Sequence, residues 1–540
     1  MFTLYNGRMK DTEFLLTKSM IFVLLLSVYT GAFAHRDVLS VDIMEARNYI
    51  TAREMVLDGN WLFPTLNGEL RIAKPPVPTW ITAFVFRLAG ADNNLAASRI
   101  PSALAGLIML AGVYFISLHV TRSKKAAFYS VIVLSTSYLF FYMTRRNTWD
   151  IYAQAFMTAA IAAYCRALPA KEAGERILMY ALAGLFAALS FMSKGPVAFY
   201  GLLLPFLASG FYLFRLKPVS FSGLAVFSAV AATLSLLWPM YIYFHETHSA
   251  LSTAASEASA WADRHVKPFW YYFQFPLMSG LWAVFLLPLL VPGFSSTRLG
   301  RRRAAFYLIW LVVSLILLSV IPEKKDRYLL PVIIPAALMI GEYMSLLTGK
   351  LKKTAADSIV LGIWSGISFS LAVFVFISAA AAQLWFGLYN SMFFIIGESA
   401  VLYAVFCLSA SFLRRETDKY IPLSVTVFCL AVIVAVPAAE SFVPDKDFRV
   451  LEQVRADAAS GYKGDFYGDL SIKEIWAVGN KVRPLDEFID NKTKDTAYFI
   501  TRGELNEETL SSMALSAEHL KTYSPEERRQ WNFYKISRKK

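Results

Sequence analysis

The sequence predicts a polytopic α-helical membrane protein with a small α/β domain at its C-terminal end. Of its 540 residues, 56% are hydrophobic and only 17% are charged. Apolar runs of about 20 residues, the length that a helix needs to cross the hydrocarbon core, recur along the first four-fifths of the chain. These runs lack the two-residue alternation of barrel strands, so helices are the spanning structure that they favour.

The apolar runs predict about thirteen transmembrane helices. The N-terminal run also resembles a signal peptide ending at Ala32-Phe33-Ala34, but the many spans that follow favour an uncleaved first helix. Segment 77–90 is too short to cross easily and is predicted to lie flat at the interface, with Trp80 and Phe86 as anchors. The predicted spans are 17–34, 99–120, 126–143, 151–168, 177–192, 196–214, 221–243, 275–293, 304–321, 328–347, 358–379, 391–413 and 420–438.

Charge in the loops predicts the orientation of the chain. The net charge of +13 comes from cations in short loops, where a topology signal places them, so it does not indicate nucleic acid. Cation-rich loops alternate with loops that mix cations, acids and aromatics, which predicts a cytoplasmic N-terminus and a periplasmic C-terminal tail. The predicted cytoplasmic cations are Arg122, Lys124, Lys125, Lys171, Arg176, Arg215, Lys217, Arg298, Arg301, Arg302, Arg303, Lys350, Lys352, Lys353, Arg414, Arg415 and Lys419.

Composition divides the chain near residue 440. Residues 1–440 are predicted to form the transmembrane domain, with 35–98 as its first periplasmic loop. Residues 441–540 are charged and contain no spanning run; strand-like stretches such as Gly464–Leu470 alternate there with helix-like ones such as Phe448–Ala459, which predicts a small soluble α/β domain. Three cysteines fall within predicted spans and indicate neither a disulfide framework nor a metal centre.

Acids, cations and aromatics are gathered in the loops of the predicted periplasmic side. This mixture suits group transfer from a lipid phosphate, because cations would hold an anionic leaving group while a carboxylate takes a proton from the nucleophile. The candidates are Asp42, Glu45, Arg47, Lys74, Arg145, Arg146, Asp150, Lys194, Glu257, Arg264, His265, Lys267, Lys324, Lys325, Asp326, Arg327 and Tyr328. Several have ordinary alternatives: Asp42 as a helix cap, Lys74 as a snorkelling lysine, Asp150 as a helix-dipole partner.

Several short motifs make the chain similar to a known family over roughly residues 15–345. They resemble those of the aminoarabinose transferase (ArnT-like) and protein O-mannosyltransferase superfamily, whose members are membrane glycosyltransferases of the GT-C fold. The motifs are Glu45-Ala-Arg47, Arg53-Glu54-Met55, Trp61, Leu66-Asn67-Gly68, Lys74-Pro75-Pro76, Ser98-Arg99-Ile100-Pro101-Ser102, Thr148-Trp149-Asp150, Ser193-Lys194-Gly195, His265 to Tyr272 and Asp326-Arg327-Tyr328-Leu329-Leu330-Pro331.

The resemblance implies an inverting sugar transfer from a polyprenyl-phosphate donor at the periplasmic face of a bacterial inner membrane. It places a first-loop acid as base or orienter. Its usual Asp-Glu-x-Arg pattern is broken here, because Met44 stands at the aspartate position and only Glu45 and Arg47 match. Asp42, three residues earlier and on the same face if helical, is the alternative base. Trp261 stands near the place of a family arginine.

Taken together, the residues and the resemblance predict a glycosyltransferase that acts on a lipid (lipid A-like), glycan or protein acceptor. The rivals are a transporter or flippase of a lipid-linked anionic sugar and a structural scaffold. No metal site and no particular cofactor are predicted; the donor substrate is a polyprenyl-phosphate sugar, and a divalent-cation requirement stays open. The predicted catalytic residues are Glu45, Asp42 and Asp150; the predicted donor-phosphate or substrate residues are Arg47, Lys74, Lys194, Arg264, His265, Lys267, Lys324, Arg327 and Tyr328.

Overall fold

The structure is a computed structural model in which helices predominate. It describes residues 17–539 except 91–93, 215–219, 264, 350–352, 387–390, 414–415, 443–445, 463, 491–494, 506–513 and 524–529. The helices are α1 (Lys18–Ala32), α2 (Ile43–Asp58), α3 (Val77–Ala89), α4 (Leu95–Ser98), α5 (Ile100–Thr121), α6 (Lys124–Ser135), α7 (Tyr138–Thr144), α8 (Trp149–Ala167), α9 (Ala173–Lys194), α10 (Leu204–Phe214), α11 (Phe221–His245), α12 (Thr247–Asp263), α13 (Phe275–Met278), α14 (Ala283–Leu289), α15 (Pro292–Leu299), α16 (Arg301–Val320), α17 (Leu330–Leu347), α18 (Ala355–Phe386), α19 (Ser391–Leu413), α20 (Thr417–Phe442), α21 (Lys446–Gly461), α22 (Ile472–Val478) and α23 (Leu485–Asp490).

Strands and short turns complete the described secondary structure. A π-helical turn covers Phe199–Leu203, and 3₁₀ turns cover Phe269–Gln274, Gly280–Trp282 and Asp326–Leu329. The strands are β1 (Thr65–Leu66), β2 (Glu69–Leu70), β3 (Phe466–Tyr467), β4 (Val482–Arg483), β5 (Thr496–Arg502), β6 (Leu515–Tyr523) and β7 (Trp531–Arg538).

The chain folds into two compact units, and both are discontinuous in sequence. The helical unit comprises Met1–Arg36, Ser102–Arg145 and Trp149–Ala439. The mixed unit comprises Asp37–Pro101, Arg146–Thr148 and Glu440–Lys540. The first loop, which the sequence analysis counted with residues 1–440, therefore packs with the C-terminal residues.

The helical unit contains the candidate membrane spans. Among the described residues, six helices are long and apolar enough to cross a membrane, and eight if each of two bent helix pairs is one span. Four shorter apolar helices and α8 cover the other five segments predicted as spans. The chain is thus a multi-pass helical protein, while the total of thirteen spans stays a prediction.

Helix packing in this unit depends on small residues at close contacts. A Cβ atom added at Gly341 of α17 would lie 2.3 Å from Ser130 Oγ of α6, and one added at Gly112 of α5 would lie 2.8 Å from Thr158 Cγ2 of α8. Small residues let apolar helices approach this closely, and the approach increases their van der Waals contact. In the span Asp326–Leu347, 89% of the apolar window is buried, so the span that contains α17 is the most buried of the six long candidate spans among the described residues.

The mixed unit combines the first loop with an α/β sheet. The Asn67-Gly68 pair has φ values of 58° and 88° and closes the β1–β2 hairpin, as an Asn-Gly turn does. The sheet has the order β4-β3-β5-β7-β6; β3 runs parallel to β4 and β5, and β7 runs antiparallel to β5 and β6.

One aromatic core joins the two parts of the mixed unit. Tyr49 of α2 lies 4.9 Å from Trp476 of α22 between ring centroids, and Phe86 of α3 stacks on the same tryptophan at 6.2 Å. Phe86 is only 4% exposed. The prediction that Phe86 anchors α3 at the membrane interface was wrong, because its ring is part of this core.

Candidate active site

The helical unit brings five of the candidate residues together with Glu323 in what we call the Asp150 cluster: Asp150, Lys194, Glu323, Lys325, Arg327 and Tyr328. Asp150 lies in the first turn of α8, and Lys194 is the last residue of α9. Arg327 and Tyr328 lie in the 3₁₀ turn that leads into α17. Residues from three separate predicted loops therefore meet where helices begin and end.

The contacts within the Asp150 cluster hold two cations on one carboxylate. Lys194 Nζ donates to Asp150 Oδ1, and Arg327 Nε lies 3.3 Å from Asp150 Oδ2. The lysine ammonium also lies 4.1 Å from the ring centroid of Tyr328, within the range of a cation–π contact. The side chains of Asp150, Lys194 and Arg327 are 8%, 11% and 17% exposed.

The remaining members of the cluster add a second ion pair. Lys325 Nζ donates to Glu323 Oε1 at 2.7 Å, and the Tyr328 hydroxyl donates to the same oxygen at 3.3 Å. The cluster contains three cations and two carboxylates, so it carries one positive charge in excess. Charges in poorly solvated surroundings interact more strongly than in bulk water. This arrangement is therefore suited to an anion.

Two neighbouring segments are joined by an isolated antiparallel β-bridge beside this cluster. Val266 bridges to Glu323, and Lys324 N donates to the carbonyl of His265 at 3.2 Å. Lys324 Nζ donates to the carbonyls of Lys267 and Ile321 at 3.1 and 2.7 Å, and burial lowers its pKa. The prediction that Lys324 holds a donor phosphate is not favoured, because this ammonium is already bound to backbone carbonyls.

The other predicted residues near these two segments are not part of the Asp150 cluster. His265 and Lys267 are exposed, and His265, directly before the bridge residue Val266, has a φ of 51°. Arg264, one of the predicted substrate residues, lies outside the described residues. Arg145, a further candidate, is fully buried and donates to the carbonyls of Thr30 and Gly31 at the end of α1. It therefore stabilises a helix terminus.

The mixed unit holds a second group of charged residues, which we call the Glu45 cluster: Glu45, Tyr49, Arg99, Arg146 and Asn147. Glu45 and Arg99 are both 0% exposed. Arg99 makes a two-pronged contact, with Nε 2.9 Å from Oε1 and a terminal nitrogen 2.8 Å from Oε2. Arg146 reaches Oε2 at 3.0 Å.

Glu45 is saturated with hydrogen-bond donors. Besides the two arginines, Oε1 accepts from the Tyr49 hydroxyl and from Asn147 N, and Oε2 accepts from Asp42 N. A carboxylate offers about four lone-pair sites, so these contacts leave little capacity for another partner. Burial alone would raise the pKa of Glu45, but Arg99 and Arg146 outweigh it and lower the pKa from 4.5 to about 2.

This environment makes Glu45 a poor proton acceptor near neutral pH. Its two oxygens instead fix the start of α2, the buried Arg99 and the segment Arg146–Thr148 in one arrangement. Of the two roles that the sequence left open for the first-loop acid, base or orienter of the acceptor, the geometry does not favour the base, and the orienting role stays a prediction.

The remaining first-loop residues occupy ordinary positions. Asp42 caps α2, since its Oδ1 accepts from Met44 N at 2.7 Å, and Asp42 and Glu45 together form a capping box. This cap is the alternative that the sequence already suggested for Asp42. Arg47 is half-buried on α2, with its guanidinium 3.7 Å from Met44 Sδ, and Lys74 is half-buried just before α3.

Arg99 was not among the predicted site residues, although its motif was part of the resemblance. The sequence did contain a signal for this residue. An arginine that directly precedes a long apolar run is energetically costly to bury unless an acidic side chain pairs with it. Glu323 was missed as well, because no motif includes it. Within the described part of the chain, no group of three or more His, Cys, Asp or Glu residues could hold a metal ion.

Comparison with known proteins gives a consistent result. A family model described as dolichyl-phosphate-mannose-protein mannosyltransferase matches residues 73–247, which include Lys74, Arg99, Asp150 and Lys194. An undecaprenyl phosphate-alpha-4-amino-4-deoxy-L-arabinose arabinosyl transferase of Pectobacterium atrosepticum is 27% identical over 62% of this chain and 60% of its own length. One of Shewanella sediminis is 27% identical over 79% of this chain and 78% of its own length.

The match to a solved structure extends over almost the whole chain. The crystal structure of ArnT from Cupriavidus metallidurans, bound to undecaprenyl phosphate, covers 96% of this chain and 97% of that chain with a TM-score of 0.69 and 17% sequence identity. By fold, this chain is therefore a GT-C membrane protein.

The family model, the relatives and the fold confirm the resemblance inferred from the motifs. They show that this chain is similar to the GT-C membrane glycosyltransferases of the aminoarabinose transferase and protein O-mannosyltransferase superfamily. The chain spans only 60% of the length of the Pectobacterium atrosepticum relative and 54% of the length of a similar transferase from Proteus mirabilis.

Proposed function

We propose that this protein is a glycosyltransferase that moves a sugar from a polyprenyl-phosphate donor to an acceptor outside the cytoplasm. The Asp150 cluster carries the proposal, because it concentrates two nearly buried cations and a surplus positive charge at the ends of membrane helices. The names of the relatives support the donor class, and the protein of like fold was solved with undecaprenyl phosphate bound.

In this mechanism Lys194 and Arg327 hold the phosphate of the donor. An acceptor oxygen attacks the anomeric carbon from the face opposite the phosphate, the bond from that carbon to the phosphate oxygen breaks, and the polyprenyl phosphate leaves with the electron pair. The sugar is transferred with inversion. The cations stabilise the negative charge on the leaving phosphate, which is the kind of electrostatic assistance that contributes most in buried sites.

Asp150 serves here to position the two cations. One carboxylate between Lys194 and Arg327 keeps both side chains in place and offsets part of their repulsion. When the donor phosphate arrives, it supplies a second anionic partner for the pair. Tyr328 provides an aromatic face at 4.1 Å from the lysine ammonium, which limits the positions open to it.

The acceptor that best fits these residues is a lipid-borne phosphate, as in a lipid A-like molecule. Glu45 is saturated and has a pKa of about 2, and Asp42 caps a helix, so neither is suited to remove a proton from a hydroxyl. A phosphate monoester has a second pKa of about 6 and is already ionised at neutral pH. Glycan and protein acceptors need a base and are the less favoured alternatives.

The proposed setting is the inner membrane of a bacterium, with about thirteen spans, a cytoplasmic N-terminus and residues 441–540 forming a periplasmic domain. The loop charges support this orientation. Lys74, Arg47, His265 and Lys267 stay candidates for substrate contact in this scheme, since each is exposed or half-buried on a segment predicted to be periplasmic.

The test is a transfer assay with purified protein in liposomes, supplied with undecaprenyl phosphate-4-amino-4-deoxy-L-arabinose and a phosphorylated lipid A. We expect inverting transfer and release of undecaprenyl phosphate. Lys194→Ala and Arg327→Ala should each weaken binding of undecaprenyl phosphate by about 10- to 150-fold, since a charge-assisted hydrogen bond contributes roughly 1.5–3 kcal/mol.

The matched control is Arg302→Ala, which removes an exposed arginine from the start of α16. It should leave binding and transfer unchanged. Equal activity in Lys194→Ala and the unsubstituted protein would overturn the assignment of the phosphate site. Translocation of the lipid-linked sugar across the liposome membrane, with no glycosidic bond formed, would instead establish the flippase alternative.

A further inference from the structure

The helical unit contains an apolar groove far from the Asp150 cluster. It lies between α5, α8 and α9 and has a volume of about 610 Å³. This volume falls within the range of roughly 300–1,000 Å³ that is usual for ligand sites. The lining residues are Ile108, Ala111, Gly112, Phe115, Leu118, His119, Arg122, Ala159, Ala162, Ala163, Arg166, Pro169, Met179 and Phe186.

The polar groups of this groove are concentrated at one end. His119 lies in the last turn of α5 and Arg122 directly follows that helix, while Arg166 lies in the last turn of α8. Arg122 is exposed, and Arg166 is 65% exposed with its guanidinium 2.6 Å from Glu175. With two arginines against one carboxylate, this end is net positive.

The walls of the groove open toward the surface of the helices. Phe115 is 57% exposed and Ala111 is also exposed, so the groove is accessible from the side of the helix bundle. Cations at helix C-termini are expected from the helix dipole and from the distribution of charge in cytoplasmic loops. Neither effect accounts for a long apolar cavity that leads directly to those cations.

The cationic end belongs to the opposite membrane face from the Asp150 cluster. Asp150 and Arg166 are sixteen residues apart on the same helix, α8. At a rise of about 1.5 Å per residue this separates them by roughly 24 Å, close to the thickness of a hydrocarbon core. The groove therefore cannot be part of the proposed transfer site.

We propose that this groove binds an anionic phospholipid of the leaflet opposite the Asp150 cluster, which is the cytoplasmic leaflet in the orientation proposed above. An acyl chain lies along Ile108, Phe115 and Phe186, and the phosphate meets Arg122 and Arg166. Basic pockets between transmembrane helices on the cytoplasmic side are suited to such headgroups. A zwitterionic lipid is less suited, because its ammonium would face the same cations.

The experiment measures lipid binding by the full-length protein. Protein purified in a zwitterionic detergent is titrated with phosphatidylglycerol or phosphatidylcholine of the same acyl chains, and bound lipid is counted by native mass spectrometry. We expect phosphatidylglycerol to bind more tightly than phosphatidylcholine. Arg122→Gln and Arg166→Gln should each lower its affinity about fivefold, which corresponds to the contribution of one cation near an anionic surface.

Two further variants separate binding in the groove from general attraction to the charged surface. Ala163→Leu fills the groove without changing charge and should lower the occupancy of phosphatidylglycerol. Arg302→Gln removes an exposed cation of the same predicted membrane face that does not line the groove, and it should have no effect.

Melting temperatures in phosphatidylcholine alone show whether each variant is folded. Equal affinity for the two lipids would overturn the proposal. Equal losses of phosphatidylglycerol affinity in Arg302→Gln and Arg122→Gln would also overturn it. The same holds if folded Ala163→Leu protein binds phosphatidylglycerol as the unsubstituted protein does. None of these outcomes bears on sugar transfer, so the proposed function is tested separately.

Discussion

Replacing Glu45 with glutamine removes the carboxylate that Arg99 and Arg146 both contact, while the size of the side chain stays nearly the same. Arg99 is fully buried, so water cannot solvate the guanidinium in place of the lost charge. Removing one partner of a buried ion pair usually costs about 3–5 kcal/mol, because an uncompensated charge stays behind. We expect Glu45→Gln to lower the free energy of unfolding by an amount in this range.

The pKa of Glu45 leads to a similar magnitude. A fall from 4.5 in the unfolded chain to about 2 in the folded protein corresponds to roughly 3 kcal/mol of stabilisation by the ionised form. Because the folded pKa is the lower one, this stabilisation is fully present above pH 4.5. It is lost as the pH falls from 4.5 toward 2, where the folded protein also binds the proton.

The assay is thermal unfolding of the detergent-solubilised protein, followed by tryptophan fluorescence between pH 7 and pH 3. Trp476 lies 4.9 Å from Tyr49 and reports on the same unit. The control Asp58→Asn removes an exposed carboxylate of α2 that pairs with Lys481, and it should cost no more than about 1 kcal/mol. Equal unfolding temperatures of Glu45→Gln and Asp58→Asn at pH 7 would show that the Glu45 carboxylate does not stabilise the protein by compensating the buried Arg99.

Two other substitutions test packing and the position of Lys324. Gly341→Val should destabilise the helical unit by about 1–3 kcal/mol or more, since the added Cβ would lie 2.3 Å from Ser130 Oγ. The control is Gly362→Ala, because a Cβ added there would meet no atom of another part of the protein within 4 Å. Equal melting temperatures of the two variants would contradict this account of the packing. Lys324→Met should lower the free energy of unfolding by about 1–3 kcal/mol, because the carbonyls of Lys267 and Ile321 lose a hydrogen-bond donor. Its binding of undecaprenyl phosphate should be unchanged. Weaker binding by the folded variant would show that Lys324 does contact the donor phosphate.

The parts of the site that follow from topology were predictable from the sequence. Asp150, Lys194 and Arg327 belong to three separate loops, and alternation of loop charge placed all three on one side of the membrane. Helices that cross a bilayer must end near its faces, so residues at their ends on one side have a restricted space in which to meet. The structure brings these three side chains into contact.

The parts that depend on partners distant in sequence were not predictable. Phe86 has the hydrophobicity of an interfacial anchor, and only Trp476, far along the chain, shows that it is buried in a core. Lys324 and Lys325 are chemically alike in sequence. The pairing of Val266 with Glu323 turns one toward backbone carbonyls and the other toward a carboxylate, and no local pattern encodes that pairing.

The position of Trp476 against Tyr49 and Phe86 has a consequence for how the protein matures. The first loop leaves the ribosome early, but its aromatic core is completed by α22, and Arg53 donates to the carbonyl of Asn480, 427 residues later. Domains generally fold in order as they are synthesised. Here the aromatic core of the first loop stays incomplete until α22 has been synthesised. A protein shortened before α22 would retain every candidate membrane span and still expose the apolar faces of α2 and α3.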